Sequence, residues 1–237
     1  MIEAIDLSKH YGPFAAIDKL TFTIHRGEVV AFLGPNGAGK STTMKVLTGY
    51  LAPTSGTARI AGIDVTRDRL AAVAKLGYLP ENGPLYPDMT AREMLAFLAQ
   101  ARGLTGARFQ ERLDHVTKEC ALSDLLDRTI GKCSKGQKQR IGMAQALLHD
   151  PDVLILDEPT TGLDPNQIKH VRENIVHLGR TRTILLSTHL LQEVDAVATR
   201  VLLVHDGRLV FDGTPEELKQ RGQGHMEAAF HRLTGVA

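Results

Sequence analysis

"EVVAFLGPNGAGKSTTMKVLTG", residues 28–49, is the stretch whose reading decides the fold. Its first six residues are an apolar, β-branched run of the kind that fills a strand buried on both faces. The next eight, GPNGAGKS at 34–41, fit G-x-x-x-x-G-K-[ST] without a mismatch. Residues 42–48 have helix-like apolar spacing, and Gly49 supplies a stop. Strand, glycine loop and helix are the context a phosphate-binding loop requires. The glycines let backbone N–H groups turn inward around phosphate oxygens, and the helix start adds its positive dipole end. Lys40 is then placed to reach β- and γ-phosphates, and the Ser41 hydroxyl to bind Mg²⁺. The plainer alternative is a glycine-rich turn that only joins a strand to a helix.

Outward from this unit, strands alternate with helices. Residues 2–7 and 20–25 are expected as short half-buried strands, and TARIAG (57–62) as another. Residues 90 to about 149, rich in Ala, Leu, Arg and Glu, form a helical insert with breaks at Gly103, Gly106 and Gly131. DVLILDEP (152–159) has the pattern of a buried parallel strand, residues 167–180 of a helix, and TILLST (183–188) of a further strand. RVLLVHDGRLVFDG (200–213) is expected to be a hairpin turning at Asp206 and Gly207. The class is α/β: a mainly parallel sheet carrying a helical lobe.

Composition narrows the function. The chain has 237 residues, enough to bury a sizeable core, and carries 28 Lys and Arg against 27 Asp and Glu. Such a balance gives no footprint for nucleic acid. The two cysteines, Cys120 and Cys133, lack the spacing of a disulfide framework or a metal site and suit a reducing compartment. No run of about 18 apolar residues is present, and the N-terminus lacks a basic head followed by an apolar block. Neither secretion nor membrane spanning is expected of the chain itself.

VLILDEP (153–159) ends a strand in two carboxylates. Asp157 stands where a phosphate-loop protein holds Mg²⁺, and Glu158 where a base can polarise an attacking water. Acids at such a place can also serve as helix caps. LLSTHL places His189 at the end of the next strand, where a lone histidine by itself says little. CSKGQKQR (133–140) precedes the helix-like IGMAQALL, and taken alone Ser134 there reads first as an ordinary helix N-cap.

With this stretch the chain resembles the ABC ATPases, whose signature usually reads Leu-Ser-Gly-Gly-Gln. The resemblance runs from about residue 2 to about 234 with the motifs in family order. Tyr11 of HYGPF matches the aromatic residue that stacks on adenine. Gly34, Pro35, Asn36, Gly37, Ala38, Gly39, Lys40, Ser41 and Thr42 match the phosphate loop. GYLPE occupies the Q-loop with Glu81 in place of glutamine, and CSKGQ supplies signature residues Ser134, Gly136 and Gln137. LILDEP holds Asp157 and Glu158, TTGLD ends in the D-loop Asp164, and His189 matches the switch histidine. In the signature, Lys135 replaces a glycine with a side chain expected to point outward, and Cys133 replaces leucine.

The resemblance implies a P-loop NTPase fold of the ABC ATPase type. Its parts would be a RecA-like core, an N-terminal antiparallel β subdomain and an inserted helical subdomain at about 88–150, all within one domain over 1–237. It also implies Mg²⁺-dependent ATP hydrolysis, with Glu158 as base, His189 positioning the γ-phosphate, and Ser41, Asp157 and Glu81 near the metal. One copy each of phosphate loop and signature implies a head-to-tail dimer, homomeric or heteromeric, with ATP sandwiched between copies. The expected partner is a separate transmembrane permease of exporter type, with the ATPase peripheral on the inner face of a bacterial cell membrane. The competing class is a soluble ABC ATPase not coupled to transport. A switch GTPase is disfavoured because no guanine-specifying Asn-Lys-x-Asp occurs.

Overall fold

The computed structural model describes residues 1–235. Strands β1 (Ile2–Tyr11) and β2 (Phe14–Ile24) form a hairpin, after which β3 (Val29–Leu33) runs through the glycine loop into α1 (Lys40–Leu47). Next come β4 (Ser55–Ile60), β5 (Ile63–Asp64), α2 (Arg69–Ala74) and β6 (Leu76–Leu79). A helical stretch comes after β6, with α3 (Ala91–Ala101), α4 (Gly106–Glu119), a short 3₁₀ turn (Ile130–Lys132) and α5 (Lys135–Leu147). The chain then alternates through β7 (Val153–Asp157), α6 (Pro165–Gly179), β8 (Thr183–Thr188) and α7 (Leu191–Val197). It closes with the hairpin β9 (Arg200–His205) and β10 (Arg208–Gly213), then α8 (Pro215–Arg221) and α9 (Met226–Thr234).

These strands make two sheets. One is antiparallel, in the order β2-β1-β4-β5. The other has the order β10-β9-β3-β8-β7-β6 and is parallel except for its β10 edge. Period-2 alternation assigns each central residue of the parallel sheet to a face. Val30, Phe32, Val153 and Ile155 pack toward the antiparallel sheet and α1. Leu154 and Leu156 pack against the helical lobe, and Ala31 and Leu33 against α7, α8 and α9. A sheet covered on both faces explains why β3, β7 and β8 are buried at every position, with apolar centres and polar residues only at the ends of β7 and β8.

Three sequence expectations change in detail. The first two strands are much longer than 2–7 and 20–25, because bulges between Ala4 and Leu7 and between Leu7 and Lys9 break the alternation that would have revealed them. Gly103 does end the first helix of the lobe, but Gly106 is the first residue of α4 rather than a break. Strand β6 is an addition to the expected elements. Four residues containing a glycine carry little pattern, yet Gly77 is needed there, since a Cβ would sit 2.2 Å from the Ala146 carbonyl oxygen of α5. The β9–β10 hairpin turns at Asp206 and Gly207 as expected, both with positive φ.

Candidate functional site

The phosphate-loop motif sits at the C-terminal end of β3, where an open parallel sheet leaves room for ligands. Gly39 has φ 97 and passes so close to β2 that a Cβ would lie 2.3 Å from the Ala16 carbonyl oxygen. No side chain caps the start of α1, so its first-turn N–H groups are available to an anion. Lys40 is buried. Its Nζ donates to the Gly34 and Pro35 carbonyls at 2.8 and 3.2 Å and lies 3.6 Å from Glu158 Oε1. Burial pulls this ammonium below the usual lysine range, and the facing Glu158 works against the shift.

Strands β7 and β8 bring the acids to the same place. Ser187 Oγ donates to Asp157 Oδ1 at 2.5 Å, and Ser41 Oγ lies 3.5 Å from the same oxygen. Burial raises the Asp157 carboxyl above its ordinary range, opposed by the Ser187 bond and reinforced by the charges of Glu158 and Glu81. Glu158 adopts φ 49, an uncommon conformation for a residue with a side chain, and its N–H is held by the Ser187 hydroxyl at 3.0 Å. Its Oε2 accepts from Thr161 Oγ1 at 3.3 Å and meets His189 Nδ1 at 2.8 Å. An ionised carboxylate can only accept, so Nδ1 carries the proton and Nε2 is the nitrogen available to a substrate.

A cleft of about 430 Å³ joins these groups. Asn36, Gly37, Gly39, Lys40, Ser41, Thr42, Glu81, Glu158 and His189 line it, together with Phe14, Ala16 and Thr161. Gly34, Pro35 and Ala38 form the back of the loop. Tyr11 lies outside that lining. It is half exposed under Lys9, opposite Phe14 in the β1–β2 register, and Phe14 is the aromatic residue that borders the cleft. Phe14 and Thr161 were not anticipated, because nothing local in their types signals a site. Among the described residues no cluster of three His, Cys, Asp or Glu side chains could cage a metal. A cation held by Ser41 and Asp157 would therefore take further oxygens from phosphate and water, the way Mg²⁺ commonly binds.

The signature residues are elsewhere. Ser134 caps α5 in a reciprocal box with Gln137, at 3.3 and 2.9 Å, and Asp164 caps α6 in the same way with Gln167. Gln167 closes over Gly136, where a Cβ would meet its amide at 2.5 Å. Ser134, Gly136 and Gln137 line a second groove, of about 740 Å³, between the helical lobe and α6. It shares no residue with the first cleft. Lys135 is exposed but does not point simply outward, for its ammonium lies against Gly162. Cys133 is buried in the core of the lobe, with Sγ 3.6 Å from the Thr129 carbonyl.

The chain is 37% identical over 98% of its length to the probable multidrug ABC transporter ATP-binding protein YbhF of Escherichia coli, of which it spans 41%. It is 37% identical over 96% of its length to the bacitracin transport ATP-binding protein BcrA of Bacillus licheniformis, spanning 74% of that protein. A solved ATP-binding subunit of an ABC transporter superposes with a TM-score of 0.88 at 32% identity, covering 98% of this chain and 99% of that one. The family model described as ABC transporter matches residues 17–161. That match takes in more than half of the sequence, and the chain belongs to the ABC transporter family.

Proposed function

We propose that this protein is the ATP-binding and ATP-hydrolysing subunit of an exporter-type ABC transporter, powering a separate transmembrane permease. One observation carries the hydrolytic reading: the Glu158 carboxylate faces Lys40 at 3.6 Å and His189 at 2.8 Å, while its neighbour Asp157 reaches Ser41. Lys40 and the α1 amides bind the triphosphate. Ser41 and Asp157, 3.5 Å apart, would hold Mg²⁺, with Glu81 on the rim beside them, and the ion would supply stabilisation of the negative charge on the phosphoryl oxygens. Glu158 takes the proton of a water that attacks the γ-phosphorus, the bond to the ADP oxygen breaks, and His189 Nε2 orients the transferred group.

The separation of signature and phosphate loop supports a head-to-tail dimer. Ser134, Gly136 and Gln137 of one copy would complete the cleft of the other when ATP lies between them, with Asp164 near the joint. Hydrolysis then removes the contacts that favour the closed state. Among the described residues no helix is long and apolar enough to cross a membrane, which fits a subunit seated on the inner face through its permease. A relative named as a Nod factor export ATP-binding protein, from Paraburkholderia xenovorans and 38% identical over 92% of this chain, supports export as the direction.

Glu158→Gln tests the mechanism. Turnover is expected to fall about a hundredfold or more, while ATP·Mg²⁺ converts the variant from monomer to dimer in size-exclusion chromatography. A variant that stays monomeric with ATP, or that hydrolyses it at the normal rate, sinks the assignment.

A further inference from the structure

A second polar layer lies behind His189. Thr188, the buried last residue of β8, donates its hydroxyl to Glu193 Oε2 at 2.5 Å and accepts from the Leu190 amide at 3.0 Å. These two bonds flank His189 and fix the backbone on both sides of it. Glu193, on α7, is only 1% exposed. A carboxylate so placed needs donors for both oxygens, yet among the described residues its Oε1 has no hydrogen-bond partner. Arg172, on α6, has the complementary defect: its Nε is buried and also has no partner. Helix α6, which carries Arg172, packs against α7, which carries Glu193, and the Arg172 charge acts on Glu193, as do the charges of Glu158 and His189.

We propose that Arg172 and Glu193 close into a charge-assisted pair in the working protein, and that through Thr188 this pair fixes the position of His189. Both are positioning residues, and the inference rests on the hydrolytic reading of Glu158 and His189. The pair satisfies two buried atoms at once, and it offsets a negative charge that would otherwise stand behind Glu158. It also has a direction. Helix α6 starts at the Asp164 cap and carries Gln167 against the signature glycine, so the pair ties the helix beside the signature groove to the histidine of the phosphate cleft.

Steady-state ATPase measurements on the full chain test this, with wild type, Glu158→Gln, Arg172→Met, Glu193→Ala and the double variant Arg172→Met/Glu193→Ala. Arg172→Met and Glu193→Ala are each expected to lower kcat about tenfold or more, with KM for ATP within about twofold. The double variant should be no slower than the slower single one, because both remove the same pair. Glu193→Gln keeps an acceptor for Thr188 but not the charge, and should fall between. A wild-type kcat in Arg172→Met, or losses that multiply in the double variant, overturns the pair. If Glu193→Ala does not fold, Arg172→Met decides alone. An active wild type with a dead Glu158→Gln and an unaffected Arg172→Met removes only the pair; a wild type without ATPase activity removes both readings.

Discussion

Glu81 stands on the exposed rim of the cleft, where the family resemblance asks for glutamine. Its charge reaches Asp157 and Lys40, so it belongs electrostatically to the site. If it helps hold the cation, Glu81→Gln should raise the Mg²⁺ concentration needed for half-maximal ATPase by about two- to fivefold, the scale of one partly screened charge. An unchanged Mg²⁺ titration takes Glu81 out of the metal site and leaves it for solvent or the permease. At this scale the sequence was most legible where chemistry is contiguous, as in the phosphate loop and the Asp157–Glu158 step. It was least legible where folding alone assembles a neighbourhood. Phe14 reaches the cleft only because the β1–β2 hairpin turns beside it, and the buried Glu193 is invisible in LLQEVDAV, where it reads as one polar residue on a short helix.

Secondary-structure elements were recoverable in proportion to their periodicity. Strands β3, β7 and β8 declare themselves by composition, whereas β6 is specified by what packs on it: α5 comes so close that only Gly77 fits. The same junction contains a titrating group. His149, just past α5, donates Nε2–H to the Leu76 carbonyl at 3.0 Å, while its buried Nδ1 has no partner among the described residues. Burial, helped by the Arg102 charge, pushes its pKa down to about 4 from 6.5. The unfolded chain therefore binds the extra proton first as pH falls. Stability from this group is complete above about pH 6.5 and declines towards pH 4, by about 3 kcal/mol. Urea unfolding at pH 7 and pH 4.5 should show that loss, and His149→Gln should remove most of it. An equal pH dependence in the variant would place the acid sensitivity elsewhere.

On the scale of the whole molecule, the two grooves pose a question one copy cannot answer. If each ATP is shared between copies, Lys40→Ala, with a dead phosphate loop, and Ser134→Arg, with a blocked signature, should each be inactive alone. Mixed in equal amounts, they form some dimers with one intact composite cleft, and about a quarter of wild-type activity should return. A mixture no more active than its components means that each copy works by itself. The broad architecture was legible because strand and helix patterns alternate. The split of the site was anticipated only through the motif resemblance, since spacing along a chain does not say which groove a helix start will face.

The phosphate loop is clasped from two sides. Gly39 lies against the Ala16 carbonyl of the antiparallel sheet, and the Gly207 amide at the tip of the β9–β10 hairpin donates to the Ala38 carbonyl at 3.2 Å. Three segments remote in sequence therefore hold the cradle in shape before any ligand arrives. Nucleotide capture should then be governed by diffusion and charge rather than by a slow loop rearrangement, with an association rate that rises linearly with concentration and depends on ionic strength.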